Sequence, residues 1–342
     1  MSQRLTNILG YLTLFAILGA IWVLFGEDPT REQGGRGEPT FEGIKDRIND
    51  VVRIKLSQTG ERTTLVRSDV GWSVEERDGY AADAELVRSF LRGVAISERR
   101  DPKTANPERF MEIGLGEAAR KIELFASEES PLLSFDMGKQ STITADRSLT
   151  YVWQKTDTRS WLVTALAEVE AKPSFWLASD ILNIADARIN RVEMENVVLS
   201  RAIDAQEFSL EDLKEGEQAL PAWRLGEPAR VIADLTFEDV RHLGNPLTDP
   251  TSTVTLNTHD GLVLTLALHD MEGSTWAQLD ARFDKDLLEA GDAGTVPDAV
   301  ADVAAEASSL SEQSRGWFYR LSTADARVLL QGRTDFLENG EK

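Results

Sequence analysis

Trp72 and Asp83 are separated by the same number of residues as Trp223 and Asp234, and in both places an alanine stands immediately before the aspartate. A second echo lies upstream. Arg-Ile-Asn recurs at 47–49 and 188–190, and each copy leads to a Leu-Ser pair, in VVRIKLS at 51–57 and VVLS at 197–200. Markers that recur in one order constrain the fold more than composition does, because they ask for two copies of one unit. A chain of 342 residues has room for two units of roughly 100–200 residues each. Ile48 and Ile189 are then expected to begin a buried strand in each copy, with their charged neighbours facing water.

The hydrophobic pattern downstream is compatible with that duplication. Behind Asp83, AELVRSFLRGV repeats Leu86, Val87, Phe90, Leu91 and Val94 at helical spacing, and Asp83 can cap the helix. Behind Asp234, LTFEDVRHL reads as a shorter helix with Phe237, Val240 and Leu243 on one face and Thr236 as an alternative cap. KIELFAS, PLLSFDM and TYVWQK alternate as strands in the first half. In the second half TVTLNT and LVLTLALHD flank an Asp260-Gly261 turn, and TWAQLDARF follows. Residues 165–169 suggest a helix ended by Pro173, after which Phe175, Trp176, Leu177, Ile181 and Leu182 would bridge the halves. The expectation is an α+β chain with two repeated lobes of antiparallel sheet, each with a helix packed on one face, at 41–180 (including the bridging segment) and 181–285. An acidic linker and a closing segment occupy 286–342, where Trp317, Phe318 and Tyr319 are too apolar for a free end and should dock on a lobe or on a partner.

Residues 8–25 contain no charge, a length that crosses most of a ~30 Å hydrocarbon core at ~1.5 Å per residue. They read as a transmembrane helix. Arg4 precedes the span and an acidic stretch follows, so the positive-inside bias leaves 1–7 in the cytoplasm of an inner membrane and the bulk of the chain outside. Trp22, Val23, Leu24 and Phe25 fill the exit where a cleaved signal would carry small residues, which favours a retained anchor. Ala16, Gly19 and Ala20 would let another membrane helix approach closely. Polar, Gly-rich 26–40 then reads as a flexible spacer.

A formal charge of −21 argues against nucleic acid, and zero cysteines exclude disulfides, thiolate metal sites and a cysteine nucleophile. Three histidines, His242, His259 and His269, show no metal-binding spacing. No GxSxG elbow and no phosphate loop occur. No catalytic, metal-binding or cofactor-binding residue is therefore assigned. Trp72 and Trp223, at matched positions, read as core packing rather than as a sugar groove.

The segments GWSVEERDGYAADAELVRSFLRGVAISERR, IGLGEAARKIELF, FWLASDILNIADARINRVEM and WFYRLSTADARVLL, together with the N-terminal span, resemble the bacterial domain-of-unknown-function 4340 family. The resemblance implies an extracytoplasmic, membrane-anchored protein that accompanies an ABC transporter of the gliding-motility type, with its permease and a large auxiliary subunit as partners. It supplies no catalytic residue. The function expected is a non-catalytic scaffold or substrate-handling subunit; the alternative is a periplasmic module that binds glycan or lipid in the cleft between the lobes.

Overall fold

A computed structural model of the chain describes residues 35–338 except 128–129, 142–148, 245–246, 248 and 289–296. The first lobe contains β1 (Arg53–Gln58), β2 (Glu61–Ser68), β3 (Gly71–Val74), β4 (Tyr80–Ala81), helix α1 (Ala84–Ile96), β5 (Arg99–Pro102), β6 (Arg120–Phe125), β7 (Leu133–Ser141), β8 (Leu149–Trp153) and β9 (Trp161–Val163). The second contains β10 (Ile189–Met194), β11 (Val197–Ser200), β12 (Ser209–Leu210), helices α2 (Ala222–Leu225) and α3 (Glu227–Ala233), β13 (Asp239–His242), β14 (Ser252–Thr258), β15 (Leu262–Met271) and β16 (Ser274–Phe283). Helix α4 (Pro297–Ser314), β17 (Trp317–Arg320) and α5 (Thr323–Leu329) complete it.

The strands form two sheets with order β4-β3-β2-β1-β6-β7-β8-β9-β5 and β12-β11-β10-β14-β15-β16-β17-β13. Apart from β4, the two orders are the same when read in chain sequence. All registered pairs are antiparallel, as expected when hairpins rather than crossover helices make the connections. The helical segment falls at the same point of each copy, between the third-strand hairpin and the strand that ends at the far edge of the sheet.

Register fixes which residues correspond. Ile54 on β1 lies opposite Leu65 and Leu124, and Val192 on β10 lies opposite Leu199 and Leu256. Val51, Ile54 and Leu56, all fully buried, therefore stand where Ile189, Val192 and Met194 stand. The two Arg-Ile-Asn tripeptides are out of step with this alignment. Ile48 does not begin a strand; it opens a short 3-10 turn and is half-buried, whereas Ile189 opens β10 and is buried.

Helix α1 is capped by Asp83, whose Oδ1 accepts from the Glu85 and Leu86 N–H groups. It buries Val87, Phe90 and Val94. Gly93 is needed there because a Cβ would lie 2.5 Å from the Ala165 carbonyl oxygen. Asp234 has no equivalent role, for it ends α3 instead of starting a helix. The helix expected after Asp234 is absent: Asp239–His242 is β13, paired with β17 by Val240↔Tyr319 and its neighbours. The helical segment of this lobe precedes Asp234, with Pro228 in the first turn of α3, a position where the missing N–H costs nothing. Residues 165–169 are not helical either, and Ala165 has φ 65°.

The lobes are joined continuously. The chain from 177 to 184 bridges Ala82↔Leu177 and Asp180↔Thr236, and the Ile184 N–H donates to the Ala233 carbonyl at 2.7 Å. Arg77 forks onto Asp239, Nε to Oδ1 at 2.6 Å and Nη2 to Oδ2 at 3.0 Å. Tyr80 packs edge-on against Phe237, Trp317 and Tyr319. The cavity left beside Tyr80 and Tyr319 measures about 50 Å³.

The closing segment belongs to the second lobe, extending its sheet beyond residue 285. Phe318 and Tyr319 are buried in β17 and Trp317 is half-buried, so this tail docks on its own chain. The expected span 8–25, with Ala16, Gly19 and Ala20, lies outside the described residues. No helix among the described residues is long and apolar enough to cross a membrane.

Candidate functional site

Two adjacent strands build the same small device in each lobe. On β2 and β3 the register places Arg67 opposite Trp72, so the two side chains leave the sheet on one face. On β11 and β12, Leu199↔Leu210 and Ser200↔Ser209 are followed by Arg201 and Phe208, whose guanidinium and ring lie 4.6 Å apart. Phe208, then, is the counterpart of Trp72. Trp223 lies on helix α2, 66% exposed, with the Arg224 guanidinium 5.6 Å from its ring. Trp72 is half-buried against the core. Trp72 thus packs on the core in part, Trp223 is not the core residue expected, and the two line separate pockets rather than one cleft.

In the first lobe this device opens into a groove of about 570 Å³. Its floor is apolar, formed by Ile48, Trp72, Leu91 and Ala95. Helical spacing brings Ala84, Arg88, Leu91 and Ala95 of α1 to one face, with Arg92 beside them. Three guanidiniums therefore reach the groove, from Arg67, Arg88 and Arg92, and among the described residues no carboxylate lines it. Arg67 donates through Nη1 to the Asn49 carbonyl at 3.1 Å, Arg88 pairs with Glu85 on the exposed side of α1, and Arg92 has no partner among the described residues.

The corresponding pocket of the second lobe measures about 190 Å³ and includes the carboxylates of Asp186 and Glu207. Arg201 closes it from within. Its side chain is 7% exposed, Nη1 donates to Asp186 Oδ2 at 2.8 Å, Nη2 to the Ile189 carbonyl at 2.8 Å, and Nε to the same carbonyl at 3.1 Å. Every one of these bonds satisfies a group that would be costly to bury alone.

The histidines and the groups with shifted pKa lie outside both pockets. His259 sits at the β14–β15 turn, while His269 lies near the other end of β15, opposite Trp276, so the two cannot share a ligand site. Burial lowers the His269 pKa, and its ring packs edge-on against Phe318. Among the described residues no group of three His, Asp or Glu side chains could hold a metal ion. Burial would raise the Asp239 carboxyl, but the Arg77 fork, the Val240 N–H and the nearby Arg320 outweigh it and hold it below the usual range. Burial pushes the Tyr319 hydroxyl up, with Tyr80 beside it adding to the effect. Asp136 is raised by burial, opposed by Lys121 and Lys155, an environment of cations rather than of a second carboxylate.

The arginine device could have been found in the sequence. Leu65-Val66-Arg67 and Leu199-Ser200-Arg201 share a Leu-x-Arg pattern at corresponding positions of the second strand. It was masked by the stronger but unrelated Trp and Asp coincidence.

No curated protein and no solved structure matches the chain. A family model does: Domain of unknown function (DUF4340) matches residues 72–258, beginning at Trp72 on β3 and ending with β14 in the second lobe. Since the match takes in more than half of the chain and reaches across both lobes, the chain belongs to the DUF4340 family.

Proposed function

We propose that this chain is a membrane-anchored, extracytoplasmic accessory subunit of an ABC transporter, with a non-catalytic scaffold or substrate-handling role. The observation that carries the binding role is the open groove beside Trp72, where an apolar floor and three arginines are offered to a partner and, among the described residues, no nucleophile, acid–base pair or metal-ligand cluster lines it. The membrane and transporter parts rest on the uncharged span at 8–25 and on the family resemblance. The lobes, tied together by Arg77, Asp239 and the Tyr80 cluster, would act as one rigid spacer.

The alternative, glycan or lipid held between the lobes, draws less support. A cavity of about 50 Å³ beside Tyr80 and Tyr319 is far below the ~300 Å³ at which small-molecule sites begin.

Purification of the full chain from native membranes in mild detergent tests the proposal. A permease and an ATPase should co-purify in fixed proportion. Recovery of the chain alone would contradict it.

A further inference from the structure

We infer that the groove beside Trp72 receives an extended, acidic segment of a partner protein, with carboxylates on alternate residues that pair with Arg67, Arg88 and Arg92. The inference rests on the reading of the chain as a partner-binding subunit and names the chemistry of what it binds.

The second lobe supplies the internal evidence. There the equivalent arginine, Arg201, is neutralised by the Asp186 carboxylate and covered by Phe208. By strand register, the residue of the first lobe that stands where Asp186 stands is Ile48, which has no charge to offer. Among the described residues Arg67 has only the Asn49 carbonyl, and the space that the second lobe closes is about 570 Å³ instead of about 190 Å³. One copy of the device holds a carboxylate from its own chain, while the other leaves the same position open.

Charge and dimensions narrow the occupant. Three guanidiniums line this groove in a chain of net charge −21, without a carboxylate among the lining residues. From Ala84 to Ala95 the helical wall runs for about 16 Å, the length of roughly five extended residues. Arg88 and Arg92 are one turn apart, about 6 Å, close to the ~6.6–7 Å that separates alternate side chains of an extended strand. A strand with an acid at every second residue would meet both arginines in turn. The side chains between the acids point away from the helix in an extended segment, toward Trp72 and Ile48, which would take small apolar groups. An elongated groove favours such a segment over a lipid headgroup, which would present its charge at a single point.

The test is a fluorescence-anisotropy titration of the full-length chain in mild detergent with a labelled synthetic peptide of about six residues alternating glutamate and alanine. Saturable binding is expected, lost progressively with added salt. The double variant Arg88→Glu, Arg92→Glu should weaken it by at least about tenfold, because charge-assisted bonds of roughly 1.5–3 kcal/mol each are removed and reversed. Both arginines are exposed, so thermal unfolding should be unchanged in the variant, and Arg109→Glu, another exposed arginine, should bind as the parent does. Equal binding of a glutamine-for-glutamate peptide would overturn the inference, as would no binding at all. Binding of soluble short-chain phosphatidylglycerol without binding of the peptide would also overturn it, in favour of a lipid headgroup. Co-purification of a permease is read separately, so the transporter assignment can fail while the groove binds peptide, or stand while it does not.

Discussion

The two lobes have one strand order and opposite treatments of the same arginine. In the second, Arg201 is buried and satisfied by Asp186, the Ile189 carbonyl and the Phe208 ring. In the first, Arg67 is exposed beside Trp72 and looks into an open groove. Topology is set by the buried positions of the strands, which both copies retain as Val51, Ile54, Leu56 and Ile189, Val192, Met194. What faces outward from that frame is free to differ. In the second lobe the arginine is enclosed by its own chain, whereas in the first it is accessible. The second lobe is also the more enclosed, since α4 lies against its sheet through the Ser314 hydroxyl bond to the Leu279 carbonyl, an element without counterpart between β8 and β9.

The largest effect should separate Phe208 from Trp223. Phe208 is buried at the position that register assigns to Trp72, so Phe208→Ala should cost about 3–5 kcal/mol in chemical denaturation. Trp223→Ala, at an exposed site, should stay within about 0.5 kcal/mol. Equal costs would break the register-based correspondence between the lobes.

The junction comes next. Arg77→Met leaves the half-buried Asp239 carboxylate without its fork and should cost about 1–3 kcal/mol at neutral pH. The folded-state pKa of Asp239 is depressed, so this contribution is fully present above the unfolded carboxylate value of about 4 and is lost as pH falls through the depressed value. Denaturation curves of parent and variant should therefore converge in acid. A difference that persists unchanged at low pH would show that the fork is not what joins the lobes electrostatically.

A smaller contrast concerns the aspartates. Asp83→Ala removes the cap of α1 and should cost about 1 kcal/mol, while Asp234→Ala, at the end of α3 where the backbone N–H rather than the side chain makes the capping bond, should cost a few tenths. Amide exchange in the first turn of α1 would report the loss locally.

Duplication was legible in the sequence; its alignment was not. The hairpin at Asp260-Gly261 was clear because Gly261 must adopt φ 87° and a Cβ there would meet the Asp284 carbonyl at 2.7 Å. Likewise Asp83 followed by Leu86, Val87, Phe90 and Val94 specified α1 by local capping and periodicity alone. The second helix was missed because Gly226 and Pro228 act as breakers in most contexts, though Pro228 here occupies a first turn. Strand β13 was missed because Phe237, Val240 and Leu243 suit helical spacing, and its true partner, Trp317–Arg320, is too distant in sequence for any local pattern to show. Arg67, Arg88 and Arg92 are unremarkable as single surface arginines, and only the β2–β3 register and the face of α1 bring them together.

Arg67→Ala and Arg201→Ala, measured side by side for denaturation midpoint and for affinity toward the alternating glutamate peptide, test the opposed roles of the two arginines. Arg201→Ala should lose about 2–4 kcal/mol of stability, chiefly from the Ile189 carbonyl left without its donor, because the Asp186 side chain is more than half exposed and the ion pair itself counts for little. Its peptide affinity should hold under conditions where it stays folded. Arg67→Ala should leave stability within about 0.5 kcal/mol and weaken peptide binding roughly tenfold. The same loss of stability in both, with peptide affinity untouched by Arg67→Ala, would mean that the two lobes use the arginine alike and that the first-lobe groove is not a binding site.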